Sequence, residues 1–197
     1  MAELTQQQGQ ALVVLARQAI RQRLGLEQHE QTKTAELQGS ALREQHGVFV
    51  TLHKQGKLRG CIGSLIGTRA LVEEVRRQAE NAAFHDSRFE PVTPEEAEEL
   101  DIEVSVLSDP RSLEYSCAEE LLTKLRPGRD GVILRDPDGA QATFLPQVWQ
   151  QLPEPELFLT KLCHKAGLDG KTWRKRPLEI QTYDVHCFTE APGRERS

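Results

Sequence analysis

The chain has 197 residues, 38% of them hydrophobic and 28% charged, which is enough for one large domain or two small ones with a proper core. No apolar run approaches the ~20 residues of a membrane-spanning helix, and the first residues lack the basic and apolar regions of a signal peptide, so a cytoplasmic protein is expected. A net charge of −5 argues against broad binding to phosphate backbones.

Thr5 and Gln8 form a capping box, and Leu12, Leu15, Ala16, Ala19, Ile20 and Leu24 follow at helical spacing up to Gly25. Arg17, Arg21 and Arg23 read as the wet face of that helix. Residues 27–46 are polar, with a short helix predicted around Ala35–Gln45. Two alternating runs, Gly47–His53 and Leu58–Gly63, flank Lys54-Gln-Gly-Lys57 as a β-hairpin. Val48, Val50 and Leu52 share one face of its first arm, with Phe49, Thr51 and His53 on the other. Thr68 is the expected cap of a helix with a buried stripe of Leu71, Val72, Val75, Ala79 and Ala82, an i,i+4 pair of Glu73 with Arg77, and an end at His85-Asp-Ser-Arg-Phe89. Thr93-Pro-Glu-Glu96 caps a short acidic helix reaching Leu100. In the strand Asp101–Leu107, Ile102, Val104 and Val106 face a core, while Glu103 and Ser105 face the other way.

A short strand at Leu113–Tyr115 precedes a helix through Leu125, introduced by a capping box at Ser116-Cys-Ala-Glu119. Arg126-Pro-Gly-Arg-Asp-Gly131 is a loop with enough glycine to approach a ligand closely. A second hairpin, Val132–Arg135 with Ala140–Leu145, turns at Asp136-Pro-Asp-Gly139. Helices at Pro146–Gln151 and Glu154–Ala166, a polar connection at Asp169–Pro177 and a last strand at Leu178–Phe188 complete the pattern. Hairpins with interspersed helices indicate an α+β fold, an antiparallel or mixed sheet with flanking helices. No linker composition divides the chain.

Four groups of residues are candidates for chemistry. Gly60, between Arg59 and Cys61, and Gly63 beyond them mark a bulge or a close approach by a ligand or another backbone. A cation lowers a thiol's pKa, so Cys61 with Arg59, His85 and Glu103 reads either as nucleophile, base and orienter or as a packed thiol between glycines. His85-Asp-Ser-Arg88 reads as a polar wall or as a hydrogen-bonded helix end. Metal binding has no recognised ligand spacing; Cys61, Cys117, Cys163 and Cys187 include no C-x-x-C pair and are expected to be reduced thiols. Lys171-Thr-Trp-Arg-Lys-Arg176 sets four cations around an indole, either a phosphate or base contact or a solvated loop anchored by Trp173. Phosphate-loop and Gly-x-Ser-x-Gly signatures are absent.

Leu58-Arg-Gly-Cys-Ile-Gly63, arriving after Gly47-Val-Phe-Val-Thr-Leu52, resembles the signature of the AMMECR domain family, whose bacterial and archaeal members are called AmmeMemoRadiSam system protein A. The resemblance continues through Asn81–Phe89, Ile102–Leu107, Arg126–Gly131, Phe144–Val148, Phe158-Leu159 and Cys163–Gly167. It departs at Ser87, where the family usually has proline, and at Arg129, where lysine is frequent. The resemblance implies two interlocked lobes around a cleft; with no linker composition between them, a single domain is expected over residues 5–188, and the tail at 189–197 reads as disordered. It implies partners, a Memo-type protein and a radical S-adenosylmethionine protein, but no reaction and no cofactor. By position, the residues expected at the cleft are Arg59, Gly60, Cys61, Gly63, His85, Asp86, Arg88, Glu103 and Ser105. The expected function is binding of a small molecule or peptide there. A Cys61-dependent transferase or hydrolase is the alternative, and nucleic-acid binding a weaker one.

Overall fold

Helix α1 spans Gln6–Arg23 and starts as its sequence requires: the Thr5 side chain accepts the Gln8 N–H while the Gln8 side chain reaches back to the Thr5 N–H. It ends at Gly25, whose φ of +70° and the bonds from Gly25 N–H to Gln22 and Leu26 N–H to Arg21 close a Schellman turn. The computed structural model describes residues 4–27 and 39–190. Of the short helix expected around 35–45, the part before Gly39 lies outside the described residues, and Ala41–Arg43 is a single 3₁₀ turn.

Contacts divide the chain into two units, one running to Leu107 and resuming at His186, the other covering Ser108–Val185. In the first unit, β1 (Val48–Lys54) and β2 (Lys57–Ser64) form the expected hairpin. Its two-residue turn has φ of +53° at Gln55 and +73° at Gly56, the pattern that matches strand twist. Helix α2 covers Leu71–Phe84, α3 Pro94–Ala97 and β3 Leu100–Leu107. With β8 (Val185–Thr189), the strands form a sheet in the order β2-β1-β3-β8, so β2 is an edge. Val48, Val50, Leu52, Ile102, Val104, Val106 and Phe188 bury one face of it against α1 and α2.

The second unit holds β4 (Arg111–Ser112), α4 (Ala118–Lys124), β5 (Gly131–Arg135), β6 (Gln141–Phe144), α5 (Pro155–Lys165), α6 (Thr172–Lys175) and β7 (Glu179–Tyr183). Its sheet runs β4-β7-β5-β6. Trp149 stacks on Phe158 with centroids 3.7 Å apart, inside a core that includes Leu121, Val132, Leu162, Trp173 and Ile180.

Several local expectations are corrected. Arg17 and Arg21 are not a wet face; each is 5% exposed. Arg17 donates to the carbonyls of Ala97 and Leu100 and to both carboxylate oxygens of Glu190, and Arg21 pairs with Glu98, so these cations fasten α1 to later segments. Helix α2 is capped not by Thr68 but from Ala70, and its Leu71 N–H finds the Glu44 carbonyl. Arg77 pairs with Glu74 at i,i+3, because Glu74 is the acidic residue turned inward, where Gln78 also donates to it. The acidic helix ends at Ala97 and Leu100 already belongs to β3. Before α4, Ser116 bonds Glu120 rather than Glu119, one residue out of phase with a capping box. The strand expected at Leu113–Tyr115 is the bridge Arg111–Ser112, and Pro146–Gln150 is 3₁₀. The last strand is two strands: Asp184 breaks the alternation, with Tyr183 buried in the second unit and Phe188 in the first.

Candidate functional site

All nine candidate residues fall in the first unit, and the sheet sorts them by face. Thr51 pairs with Cys61 on one side and Glu103 on the other, so the three side chains form a row across β2, β1 and β3 on the face turned away from the helices. Cys61 and Glu103 therefore stand two strand spacings apart, roughly 10 Å, with Thr51 between them. The Thr51 hydroxyl donates to Cys61 Sγ at 3.3 Å. Farther along, Ser105 Oγ donates to Glu103 Oε1 at 3.1 Å and lies 3.4 Å from Cys187 Sγ on β8. Partial desolvation and then the Glu103 carboxylate push the Cys187 thiol up, against the hydrogen bond to Ser105.

The two strand glycines serve different neighbours. Gly60 faces α2, where a Cβ would fall 2.2 Å from the Ala82 carbonyl oxygen, so the close approach foreseen in the sequence is by another backbone. Gly63 is on the outward face, and a Cβ there would sit 2.4 Å from the Phe49 ring, which lies across it. The hairpin also contains a bulge. Leu52 pairs with Gly60 and His53 with Leu58, leaving Arg59 without a partner in β1.

That bulge directs Arg59 into a local network. Its Nε and Nη2 donate to Glu96 at 3.3 and 2.9 Å, and Nη2 also donates to the Glu90 carbonyl at 2.9 Å. Glu96 takes Lys54 as well, at 3.2 Å, and is held down at about 2, first by the Arg59 hydrogen bonds. With its side chain 14% exposed, Arg59 binds β2 to the segment before α3. The Phe89 ring lies under two guanidiniums, Arg59 at 5.9 Å and Arg88 at 5.5 Å.

Asp86 and Arg88 close the free edge of β2. One Asp86 oxygen accepts the Cys61 N–H at 2.9 Å, and Arg88 Nη2 donates to the Cys61 carbonyl at 3.1 Å. Both backbone groups of Cys61 that point out of the sheet are thus satisfied, as a neighbouring strand would do. Asp86 also accepts the N–H, Nε and Nη2 of Arg88 at 3.1, 2.9 and 2.7 Å. These bonds, Arg88's side chain foremost, hold the Asp86 carboxyl well below the usual carboxylate range. The Arg88 cation is stabilised first by Asp86 and more weakly by Cys61.

His85 caps the C-terminal end of α2, is exposed, and among the described residues makes no hydrogen bond to Cys61 or Glu103. The structure therefore brings together Cys61, Asp86 and Arg88, and separately Glu103 and Ser105, without a nucleophile–base–orienter chain. Thr51, Phe49 and Cys187 belong to the same face but were not among the candidates. Alternation in β1 put Phe49 and Thr51 there, and the core position of Phe188 turns Cys187 outward.

The other chemistry read from the sequence is accounted for by neighbours. Arg174 pairs with Glu156 at 2.7 Å, Lys175 with Asp169 at 3.1 Å and Arg176 with Asp136 at 2.8 Å, and Trp173 is buried. Among the described residues, no three His, Cys, Asp or Glu side chains are grouped to hold a metal ion, and no helix is long and apolar enough to cross a membrane. A groove of about 350 Å³ between α1 and α2, lined by Gln22, Arg23, Arg76 and Glu80, contains none of the nine candidates. The row on the sheet has the denser chemistry.

This α+β fold belongs to a known family. The AMMECR1 family model matches residues 13–188, and the chain belongs to that family. It is 39% identical over 209 residues to a protein of Methanopyrus kandleri, covering 98% of this chain and 96% of that one. A protein of Thermofilum pendens is 36% identical, with 96% and 93% covered. The crystal structure of an uncharacterised Pyrococcus horikoshii protein superposes with a TM-score of 0.75 at 35% identity, covering 93% of this chain and 91% of its own.

Proposed function

We propose that the protein is a binding component whose ligand surface is the outward face of the first sheet, centred on Cys61. The observation that carries this reading is the way Cys61 is held: Asp86 and Arg88 occupy both its outward backbone groups, while Thr51 engages its thiol. Such a residue is presented in one orientation with no base attached, which suits recognition better than turnover. Around it, the half-buried Phe49 offers a ring, Thr51 a hydroxyl and Glu103 a carboxylate, a mixed lining fit for a small polar molecule or a peptide, while Ser105, 2% exposed, supports Glu103. Working with a Memo-type and a radical S-adenosylmethionine protein follows from the family resemblance, and four free thiols fit a reducing cytoplasm. The test is calorimetric titration with the Memo-type protein encoded by the same organism. Glu103→Gln is expected to weaken binding at least about tenfold and Cys61→Ser less than about threefold. Wild-type affinity in Glu103→Gln would remove the surface from consideration.

A second reading, a Cys61-dependent transferase or hydrolase, is favoured by the Thr51 hydroxyl and the Arg88 guanidinium beside the thiol. It predicts that Cys61 reacts with iodoacetamide at neutral pH at least about tenfold faster than exposed Cys117. Equal rates would end it.

A further inference from the structure

The glycine-containing loop at Arg126–Gly131 plays no part in the face just described, yet with Arg111 it gathers three guanidiniums in the second unit. Arg111 Nη2 lies 2.9 Å from one oxygen of Asp184, and Arg126 Nη2 and Arg129 Nε lie 3.3 and 3.4 Å from the other. Three guanidiniums from two segments thus converge on one carboxylate.

The cluster is built rather than fortuitous. Asp130, its side chain 2% exposed, accepts the Arg126 N–H at 2.8 Å, Nε at 2.9 Å and Nη2 at 2.6 Å. The Trp149 indole in turn donates to the Asp130 carbonyl at 2.7 Å, tying the loop to the core. Asp184 is fixed by Ser108, which receives its N–H at 3.0 Å and donates to its carbonyl at 2.9 Å.

Positive capacity remains after these bonds. Among the described residues, Nη1 of Arg111, Arg126 and Arg129 has no acceptor. The side chains of Arg111 and Arg129 are 69% exposed and that of Arg126 49%. Setting Asp130 and Asp184 against the three arginines leaves one net positive charge, on a chain whose total is −5. Gly128 has φ of +79°, and a Cβ there would meet nothing within 4 Å, so the space over the loop is open.

We propose that this cluster binds the phosphoryl group of a soluble phosphorylated small molecule. A phosphate monoester offers three terminal oxygens in a tripod and a double charge, one acceptor for each guanidinium edge; a carboxylate offers two. The partly satisfied, preorganised forks lower the ordering cost of binding. Direct phosphate contact by surface arginines is screened by salt, so the measurement belongs at fixed ionic strength.

The experiment is a titration of the full chain with inorganic phosphate and with glycerol phosphate, following the arginine Nε–Hε resonances at constant ionic strength. Saturable shifts are expected at Arg111, Arg126 and Arg129, and the double variant Arg111→Gln/Arg129→Gln is expected to weaken binding at least about tenfold. Both are exposed single-contact side chains, so an unchanged tryptophan spectrum and circular dichroism serve as the folding control. Shifts reproduced by sodium chloride, or undiminished in the double variant, overturn the proposal. Binding to phosphatidic-acid vesicles without binding to either free phosphate also overturns it.

Discussion

Replacing Asp86 by Asn tests the clamp on the β2 edge most directly. The Asp86 side chain, 3% exposed, accepts four N–H groups, from the Cys61 backbone and from the Arg88 backbone, Nε and Nη2. Asparagine keeps one acceptor oxygen but turns an amide toward a donor it cannot satisfy. One or two buried donors lose their partner, at about 1–3 kcal/mol each before relaxation. Arg88 is 54% exposed, so its cation stays hydrated and adds little. The expected loss for Asp86→Asn is therefore about 2–3 kcal/mol, and Arg88→Ala, which takes two donors from the buried Asp86 carboxylate, should cost about 1–3 kcal/mol. The carboxyl is lowered from its ordinary 3.8, so its contribution is complete above that value and is lost as pH falls through it toward the lower folded value. The gap between wild type and Asp86→Asn should then narrow by about 1 kcal/mol from pH 5 to pH 3. Both tryptophans, Trp149 and Trp173, lie in the second unit, so their fluorescence does not report on this site. Hydrogen exchange of the β1 and β2 amides, read against urea, does. A loss under ~0.5 kcal/mol at neutral pH, or a gap that does not change on acidification, would refute the reasoning.

Glu96→Gln is expected to cost about 2 kcal/mol at neutral pH, because Arg59 and Lys54 lose their shared carboxylate. That stability is present above 4.5 and lost as pH falls toward about 2, so acid titration of the variant should lack this component. Gly60→Ala should destabilise the first unit by about 1–3 kcal/mol, since the new methyl meets the Ala82 backbone oxygen; an unchanged urea midpoint would show that α2 moves freely. Arg17→Met removes the side-chain donors from the Ala97 and Leu100 carbonyls and one ion pair from Glu190, with an expected cost of about 2–4 kcal/mol by hydrogen exchange in α1. Cys163, fully buried and with its thiol pushed up by desolvation, should resist Ellman's reagent until the second unit unfolds, while Cys117 reacts at once.

Much of the first sheet was legible because alternation with period two is a local signal. Val48, Val50 and Leu52 against Phe49 and Thr51, or Ile102 and Val104 against Glu103 and Ser105, state their faces without knowledge of the partner strand. Which strand lies beside which was not legible. The row Cys61–Thr51–Glu103 depends on β1 running between β2 and β3, and no residue in the three segments encodes that order. The arginines of α1 misled for a related reason. Arg17 and Arg21 sit where a solvated stripe belongs, but they answer carbonyls and carboxylates more than seventy residues away in the case of Ala97 and Leu100. Long amphipathic side chains take their place from tertiary partners rather than from helical phase. The break at Asp184 was hidden because a continuous run of strand-forming residues carries no mark of where it changes sheets.

The clamp also explains why an arginine, a thiol and two glycines occur together on an edge strand. An unprotected edge is a template for pairing with another chain, and β2 lacks the prolines or inward charges that usually blunt one. Here the segment after α2 supplies the missing acceptor and donor at one residue, Cys61, through Asp86 and Arg88. Gly60 lets α2 come close enough for that segment to reach the strand, and the Arg59 bulge adds a second tether to Glu96 and Glu90. Arg59, Gly60, Asp86 and Arg88 thus first serve to fix the backbone around one thiol. A surface fixed in this way presents a constant arrangement of Sγ, hydroxyl, ring and carboxylate, and that constancy is the premise of the binding reading proposed above.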